Sequence, residues 1–197
     1  MDNCAVIGSI GLYDQATGSD HSDLVRSWVA NCRRRCVDPQ SGLLYQAMEP
    51  ENGTPWDAPR GSGTTLGLYF LSFVDPVLSH DLYRAVRKEL AWSCAGFGLV
   101  NEYPHHVRGG AGDIDSGPVI FGIGLSPTGF ALSGARIHAD PMLYRRIHAT
   151  AHLFGAPLDR DDRLEFVTGG PLGNAIMFAM LTAPASPSVQ HRTEESW

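Results

Sequence analysis

Apolar residues recur at spacings of three and four along several parts of the chain, and this spacing puts them on one face of an α-helix. The first such segment begins at Ser22, which can cap a helix, and ends at Asp38-Pro39, because proline disfavours a helical backbone before it. The segment from Ser62 or Thr64 to Val74 is small or apolar on nearly all sides, which predicts an interior helix.

Asp75-Pro76 then opens an amphipathic segment, residues 77–92, whose polar side predicts an exterior helix. The same order recurs when the apolar stretch 117–136 is followed by Asp140-Pro141 and a second amphipathic segment, 142–154. Asp75 and Asp140 lie 65 positions apart. A third round begins at Gly169 and ends near Thr182. We therefore predict consecutive antiparallel helical hairpins; the alternative is two unrelated hairpins that use the same favoured cap.

The predicted fold class is mainly all-α, with one hairpin domain over residues 22–183. Residues 1–21 form an N-terminal extension, and residues 184–197 are polar and rich in Pro and Ser, which predicts a disordered tail. Glycines in the inner segments would let neighbouring helices approach closely. These glycines are Gly61, Gly63, Gly67, Gly117, Gly122 and Gly124.

Composition changes this picture by excluding some partners. Hydrophobic residues make up 43% of the chain and charged residues 18%, as in a globular protein, and the formal net charge of -6 argues against a nucleic-acid partner. An acid stands near the start where a signal peptide carries basic residues. The apolar-rich span 119–132 is shorter than the ~20 residues that cross a bilayer. We expect a cytoplasmic protein without a membrane partner.

The densest polar cluster is the predicted loop 101–116, directly before an apolar inner segment. Asp113 and Asp115 lie two apart, so an extended backbone would point both carboxylates the same way and supply an acid and a base. The structural alternative is that Asp115 or Ser116 caps the helix predicted from Gly117.

Further candidates lie in the same loop. Glu102, Tyr103 and His105 are predicted to share proton transfer with the two aspartates, since each can donate or accept a proton. His106 and Arg108 are predicted to bind substrate. A surface loop with two histidines is also commonly just solvated.

Three residues before the first inner helix complete the candidate site. Tyr45, Trp56 and Arg60 precede that helix as loop 101–116 precedes the next, so a ring of hairpins would bring both loops to one rim and make these residues substrate-binding. Alternatively, Tyr45 and Trp56 pin the long loop to the core.

Metal ligands are the remaining candidate chemistry. The chain has no His-Glu-x-x-His or Cys-x-x-Cys spacing, and Cys32 and Cys36 are predicted to be reduced core thiols. We predict no metal site.

Three segments each head an inner helix: residues 59–63, 112–118 and 169–174. Through them the chain resembles the α/α-toroid enzymes, in particular bacterial proteins of the linalool dehydratase/isomerase-like type and, more distantly, six-hairpin glycosidases, over residues 22–183. The resemblance implies a ring of helical hairpins with a central pocket. It also implies acid/base chemistry on a hydroxyl-bearing or glycosidic substrate, without a redox cofactor. We predict no cofactor.

The chain has about three predicted hairpins, whereas a closed toroid has six. We therefore expect a partial toroid, completed either by a second copy in a homo-oligomer or by a longer chain. The predicted function is acid/base catalysis on a small uncharged substrate, of the lyase, isomerase or glycoside-acting type. The alternative is a non-catalytic helical module that binds a partner protein through its exposed inner face.

Overall fold

The computed structural model describes residues 2–107 and 119–182, and within these ranges the protein is mainly α-helical. The helices are α1 Asp2–Thr17, α2 Ser22–Arg35, α3 Gly61–Leu71, α4 Pro76–Glu89, α5 Leu125–Ile137, α6 Pro141–Phe154 and α7 Gly170–Thr182. Three antiparallel strand pairs join them: β1 Ala91–Cys94 with β2 Phe97–Val100, β3 Val119–Ile120 with β4 Ile123–Gly124, and β5 Pro157–Arg160 with β6 Arg163–Phe166.

The repeat is visible in how the outer helices α4 and α6 begin. Oδ1 of Asp75 accepts a hydrogen bond from the backbone N–H of Leu78 at 2.8 Å, and Oδ1 of Asp140 accepts one from Leu143 at 2.9 Å. Each helix has proline in its first turn, so both predicted caps are present. A β-hairpin follows each outer helix, which makes the repeating unit helix, helix and hairpin.

Helices α1, α3, α5 and α7 form a row that we call the central row, because each packs against the next in chain order. Helix α3 also packs against α4, and α5 against α6. Helix α3 is interior as predicted, with Leu68 and Leu71 fully buried. An added Cβ on Gly8 would lie 2.6 Å from the carbonyl oxygen of Phe70, so glycine is required for the close approach of α1 and α3.

The N-terminal extension predicted for residues 1–21 contains α1, which packs with the predicted hairpin domain rather than apart from it. Cys4 and Ile7 of this helix are buried. Ser22 is the first helical residue of α2 and not its cap, since His21 occupies the cap position.

Two predicted helix limits were wrong, because strand pairing replaces helix there. The segment predicted as helical to residue 92 ends at Glu89, and β1 then turns into β2 through Ala95 and Gly96, which have φ values of 49° and 89°. The next inner helix begins at Leu125 rather than near 117. Gly122 therefore lies in a turn at a φ of 84°, where glycine serves backbone conformation instead of helix packing.

Over residues 2–107 and 119–182, no helix is both long and apolar enough to cross a membrane.

Candidate active site

Two loops meet where α3 begins, and their backbones are joined there. The backbone N–H of Gly61 donates to the carbonyl oxygen of Glu102 at 2.7 Å. Tyr45 pairs with Pro59 as an isolated β-bridge, and the N–H of Arg60 donates to Leu44 at 3.2 Å. The segment 36–60 and the segment 101–107 are thus held side by side at the N-terminal end of a central-row helix.

Nine polar side chains form what we call the rim cluster, eight of them from these loops and Ser62 from the first turn of α3. Hydrogen bonds, ion pairs and a cation–π contact link them in three groups, and each group joins residues 36–62 to residues 101–107. Its members are Asp38, Ser41, Tyr45, Asp57, Arg60, Ser62, Glu102, Tyr103 and His106.

Glu102 is the most deeply buried member, with 0% of its surface exposed. The hydroxyl of Ser62 donates to its Oε1 at 2.6 Å, and its own N–H donates to the carbonyl oxygen of Gly122 at 2.9 Å. An added Cβ on Gly124 would lie 2.7 Å from Oε2, so the carboxylate is wedged between the N-terminal ends of α3 and α5. Helix N-termini carry partial positive charge, which favours a carboxylate at this position.

Arg60 is also buried, at 8% exposure, and among the described residues its guanidinium contacts a carboxylate and an aromatic ring. Nη2 donates to Oδ2 of Asp57 at 2.6 Å, which forms an ion pair. The guanidinium carbon lies 5.4 Å from the ring centre of Tyr103, a cation–π contact. These contacts fix Arg60 against the loop that carries Glu102.

Asp38 is a buried carboxylate that the sequence analysis did not select as a site residue. The hydroxyl of Ser41 donates to its Oδ2 at 2.5 Å, and the hydroxyl of Tyr45 donates to its Oδ1 at 3.0 Å. Nε2 of His106 lies 3.5 Å from Oδ2. Asp38-Pro39 was interpreted only as the end of a helix, although Ser41 three residues later and the nearby Tyr45 hydroxyl were signals of a carboxylate with partners.

The surroundings of Asp38 and Tyr45 shift the two pKa values in opposite directions. Burial alone would raise the pKa of Asp38, but hydrogen bonds from Ser41, Tyr45 and Gln40 outweigh burial and hold that pKa below its ordinary value. Burial, together with the Asp38 carboxylate, raises the pKa of Tyr45 above its ordinary value. Near neutral pH, Asp38 is therefore an ionised acceptor and Tyr45 a protonated donor.

Some of the predicted site residues lie in the rim cluster and others do not. Tyr45, Arg60, Glu102, Tyr103 and His106 come together in the rim cluster. Trp56 is 75% exposed and takes no part in the contacts that define the cluster. His105 is exposed and lines a separate surface cavity. Arg108, Asp113 and Asp115 lie outside the described residues.

The arrangement offers proton-transfer groups of three chemical kinds: a carboxylate, a phenol and an imidazole. Within residues 2–107 and 119–182, no three His, Cys, Asp or Glu side chains are arranged to hold a metal ion. Carboxylate, phenol and imidazole groups can each act as a general acid or a general base.

Fold and cluster together define a mainly α-helical protein of consecutive hairpins, with polar side chains gathered where a central-row helix begins. No protein-family model matches the chain, and no curated protein matches it at a significant level. The resemblance to linalool dehydratase/isomerase-like proteins therefore stays a prediction.

Proposed function

We propose that the protein is an acid/base enzyme acting on a small uncharged substrate, hydroxylated or glycosidic, by elimination, isomerisation or glycoside cleavage. The observation that carries this proposal is the contact of Asp38 with both Tyr45 and His106, at 3.0 Å and 3.5 Å. A protonated phenol beside an ionised carboxylate is a donor paired with an acceptor, which acid/base catalysis on a hydroxyl group requires.

In this proposal, Tyr45 gives its proton to the departing oxygen of the substrate. Asp38 and His106 accept a proton from the substrate or from water and return one to the phenol. Arg60, held by Asp57 and Tyr103, orients the substrate through its fixed donors.

Glu102 is proposed as a positioning residue rather than a catalytic one. Its side chain has no exposed surface, and its carboxylate accepts from Ser62. It joins loop 101–107 to the start of α3 and so fixes the positions of Tyr103 and His106 relative to that helix. Asp113 and Asp115, which lie outside the described residues, remain predicted catalytic residues.

A screen of terpene alcohols and neutral glycosides, followed by single variants, tests the proposal. Tyr45→Phe and Asp38→Asn are expected to lower kcat by about 10²–10⁴-fold. Tyr13→Phe, which removes a hydroxyl from a tyrosine that is 56% exposed on α1, is the matched control and should leave kcat unchanged.

Melting temperatures separate catalysis from structure. Tyr45→Phe removes the hydrogen bond to the buried Asp38 carboxylate and should cost about 1–3 kcal/mol of stability, so kcat is measured well below the Tm of the variant, where it remains folded. If no substrate of the panel is turned over, or if Tyr45→Phe retains full kcat, the acid/base proposal is wrong.

The non-catalytic module is kept as a second proposal because one observation favours it. Leu172 and Phe178 on α7 are 73% and 72% exposed, which is unusual for large apolar side chains on one helix. A partner protein that covers α7 would explain their exposure without any catalysis. Replacing both residues with Glu should then abolish partner binding while Asp38→Asn leaves it unchanged.

A further inference from the structure

A surface cavity of about 310 Å³ lies beside the rim cluster, between the end of α4, the β1–β2 hairpin and the β3–β4 turn. Its walls include two aromatic rings, two polar side chains and one ion pair. These residues are Trp92, Phe121, Asn101, His105, Lys88 and Glu89. None of them carries a role in the proton-transfer chemistry of the rim cluster.

The first aromatic wall is Trp92, whose side chain is held in one orientation. Its indole Nε1 donates to Oδ1 of Asn101 at 3.0 Å, while 40% of the residue remains exposed. A fixed and partly exposed indole is a preformed platform for a ring that stacks on it, because no rotamer freedom is lost on binding.

The second aromatic wall is Phe121, which combines an unfavourable backbone conformation with an exposed apolar side chain. It occupies a two-residue turn with Gly122, and its φ of 53° is left-handed, a conformation that bulky residues avoid. Its ring is 97% exposed to water. Asn or Gly would serve the turn better, so folding alone does not explain a phenylalanine here, whereas contact with a ligand does.

The polar part of the lining indicates the charge of that ligand. Nζ of Lys88 lies 2.8 Å from Oε1 of Glu89, so the lysine and the carboxylate of the lining neutralise each other. Asn101 and His105 add hydrogen-bonding groups to the same lining. A purely apolar ligand would cover these groups without satisfying them, whereas a sugar ring has an apolar face to stack and hydroxyls at its edge to bond.

We propose that this cavity binds a ring of a neutral saccharide, stacked between Trp92 and Phe121. Asn101 immediately precedes Glu102, and the carbonyl of Gly122 accepts from Glu102 N–H at 2.9 Å, so the cavity adjoins the rim cluster. Its role as a substrate subsite rests on the proposed function, and it narrows the substrate class to glycosides. Saccharide binding itself does not depend on turnover.

Calorimetric titration with cellobiose and maltose tests binding directly, with geraniol as an uncharged alcohol that has no sugar ring. The informative variant is Phe121→Asn, since asparagine accepts the left-handed turn but removes the ring. We expect at least ten-fold weaker disaccharide binding with an unchanged or higher Tm. Trp92→Phe, which keeps a smaller ring without the indole N–H, should weaken binding several-fold.

Phe154→Ala is the matched control, because it removes an aromatic ring that is 62% exposed at the end of α6, outside the cavity, and should leave affinity unchanged. The proposal is overturned if neither disaccharide binds at millimolar concentration or if geraniol binds more tightly than both. Unchanged affinity in Phe121→Asn, or a loss in Phe154→Ala equal to that in Phe121→Asn, would also overturn it.

Tyr45→Phe separates this proposal from the proposed function. If the enzyme proposal fails and the cavity proposal holds, the wild type binds disaccharide without turning over any glycoside. If the reverse holds, glycoside turnover is lost in Tyr45→Phe but KM is the same in Phe121→Asn as in the wild type.

Discussion

Asp38 and Glu102 are buried carboxylates with different access to a substrate. Asp38 touches a phenol and an imidazole at the edge of the rim cluster, whereas Glu102 is enclosed by the ends of two helices. The difference comes from position in the chain, because Asp38 follows α2 whereas Glu102 follows the end of β2 and lies between the starts of α3 and α5. Residue type alone does not distinguish a proton-transfer group from a positioning group.

Cys36 is predicted to be a reactive thiol, because neighbouring residues lower its pKa. A hydrogen bond from the Cys32 thiol, assisted by the charge of Arg35, outweighs burial and lowers the pKa of Cys36 to about 7. Cys32→Ala removes that hydrogen bond and should slow iodoacetamide labelling of Cys36 at pH 7 by about ten-fold. Labelling is followed by mass spectrometry over pH 6–9.

The exposed Cys94 serves as the internal control for that experiment, since its labelling rate should be the same in both proteins. An identical pH profile for Cys36 in wild type and Cys32→Ala would show that the thiol pair does not control its reactivity.

His138 is predicted to make folding stability depend on pH. The Ser79 hydroxyl donates to Leu68 at 2.7 Å, so its oxygen accepts from Nε2 of His138 at 3.0 Å. Burial, with a smaller contribution from His80, lowers the pKa of His138 to about 4. Because the unfolded pKa is near 6.5, stability is full above that pH and falls as pH drops towards 4, by about 3 kcal/mol.

Urea unfolding at pH 7 and pH 4.5 measures this loss. His138→Asn should show a smaller decrease than the wild type, while His152→Asn, at an exposed position on α6, should retain the full decrease. Equal decreases in wild type and His138→Asn would exclude His138 as the cause.

At the scale of elements, the two Asp-Pro caps give a matched comparison. Asp75→Ala removes one cap and a partly exposed ion pair with Arg33 at 3.5 Å. Such a pair contributes little, so the free energy of unfolding should fall by about 1 kcal/mol. Asp140 also accepts from the Tyr83 hydroxyl and pairs with Arg87, each at 2.9 Å, so Asp140→Ala should cost about 2–3 kcal/mol.

Chemical denaturation of both variants checks the comparison. Asn also caps helices, so Asp75→Asn and Asp140→Asn are the controls and should each lose less than the corresponding alanine variant. If Asp75→Ala costs as much as Asp140→Ala, the contacts of Asp140 with Tyr83 and Arg87 contribute no more stability than the pair of Asp75 with Arg33.

The sequence predicted the helices better than the strands for a physical reason. Asp75-Pro76 and Asp140-Pro141 start a helix through local interactions, the Asp side chain as cap and the Pro ring in the first turn. Such starts can therefore be predicted from the sequence alone. The β1–β2 and β3–β4 turns use Ala95-Gly96 and Phe121-Gly122, which lack the Asn or Asp that marks such turns. The predicted helices therefore included the start of β1 and all of β3 and β4, and β2 was not predicted.

The rim cluster was partly predictable for a related reason. The order of elements was enough to expect Tyr45, Arg60 and Glu102 at one end of the hairpins. The side-chain contacts of Asp38 with Tyr45 and His106 depend on how two loops meet, which spacing along the chain does not encode.

At the scale of the whole molecule, the two end helices of the central row, α1 and α7, have large apolar side chains exposed to water. Val6 and Tyr13 on α1 are 55% and 56% exposed, and Leu172 and Phe178 on α7 are 73% and 72% exposed. We propose that these faces are covered when a second copy, or further sequence, extends the row towards a closed ring.

Light scattering tests self-association of the 197-residue chain. We expect a mass at least twice the 21.3 kDa of one chain, and a return to one chain when Leu172 and Phe178 are both replaced with Glu. Leu153→Glu, at a residue 57% exposed on the outer helix α6, is the control and should keep the larger mass. A stable wild-type monomer would contradict closure by a second copy.

The chain-order packing of the central row also bears on how such a protein can change length. Each of α3 and α5 packs against the row helix before it and the row helix after it. The two Asp-Pro turns lie 65 residues apart, which is the length of one repeating unit of helix, helix and hairpin. Duplicating or deleting one unit would recreate the same junctions on either side. Gene-level gain or loss of whole hairpins is thus compatible with this architecture, whereas an insertion of half a unit would put an outer helix where a row helix belongs.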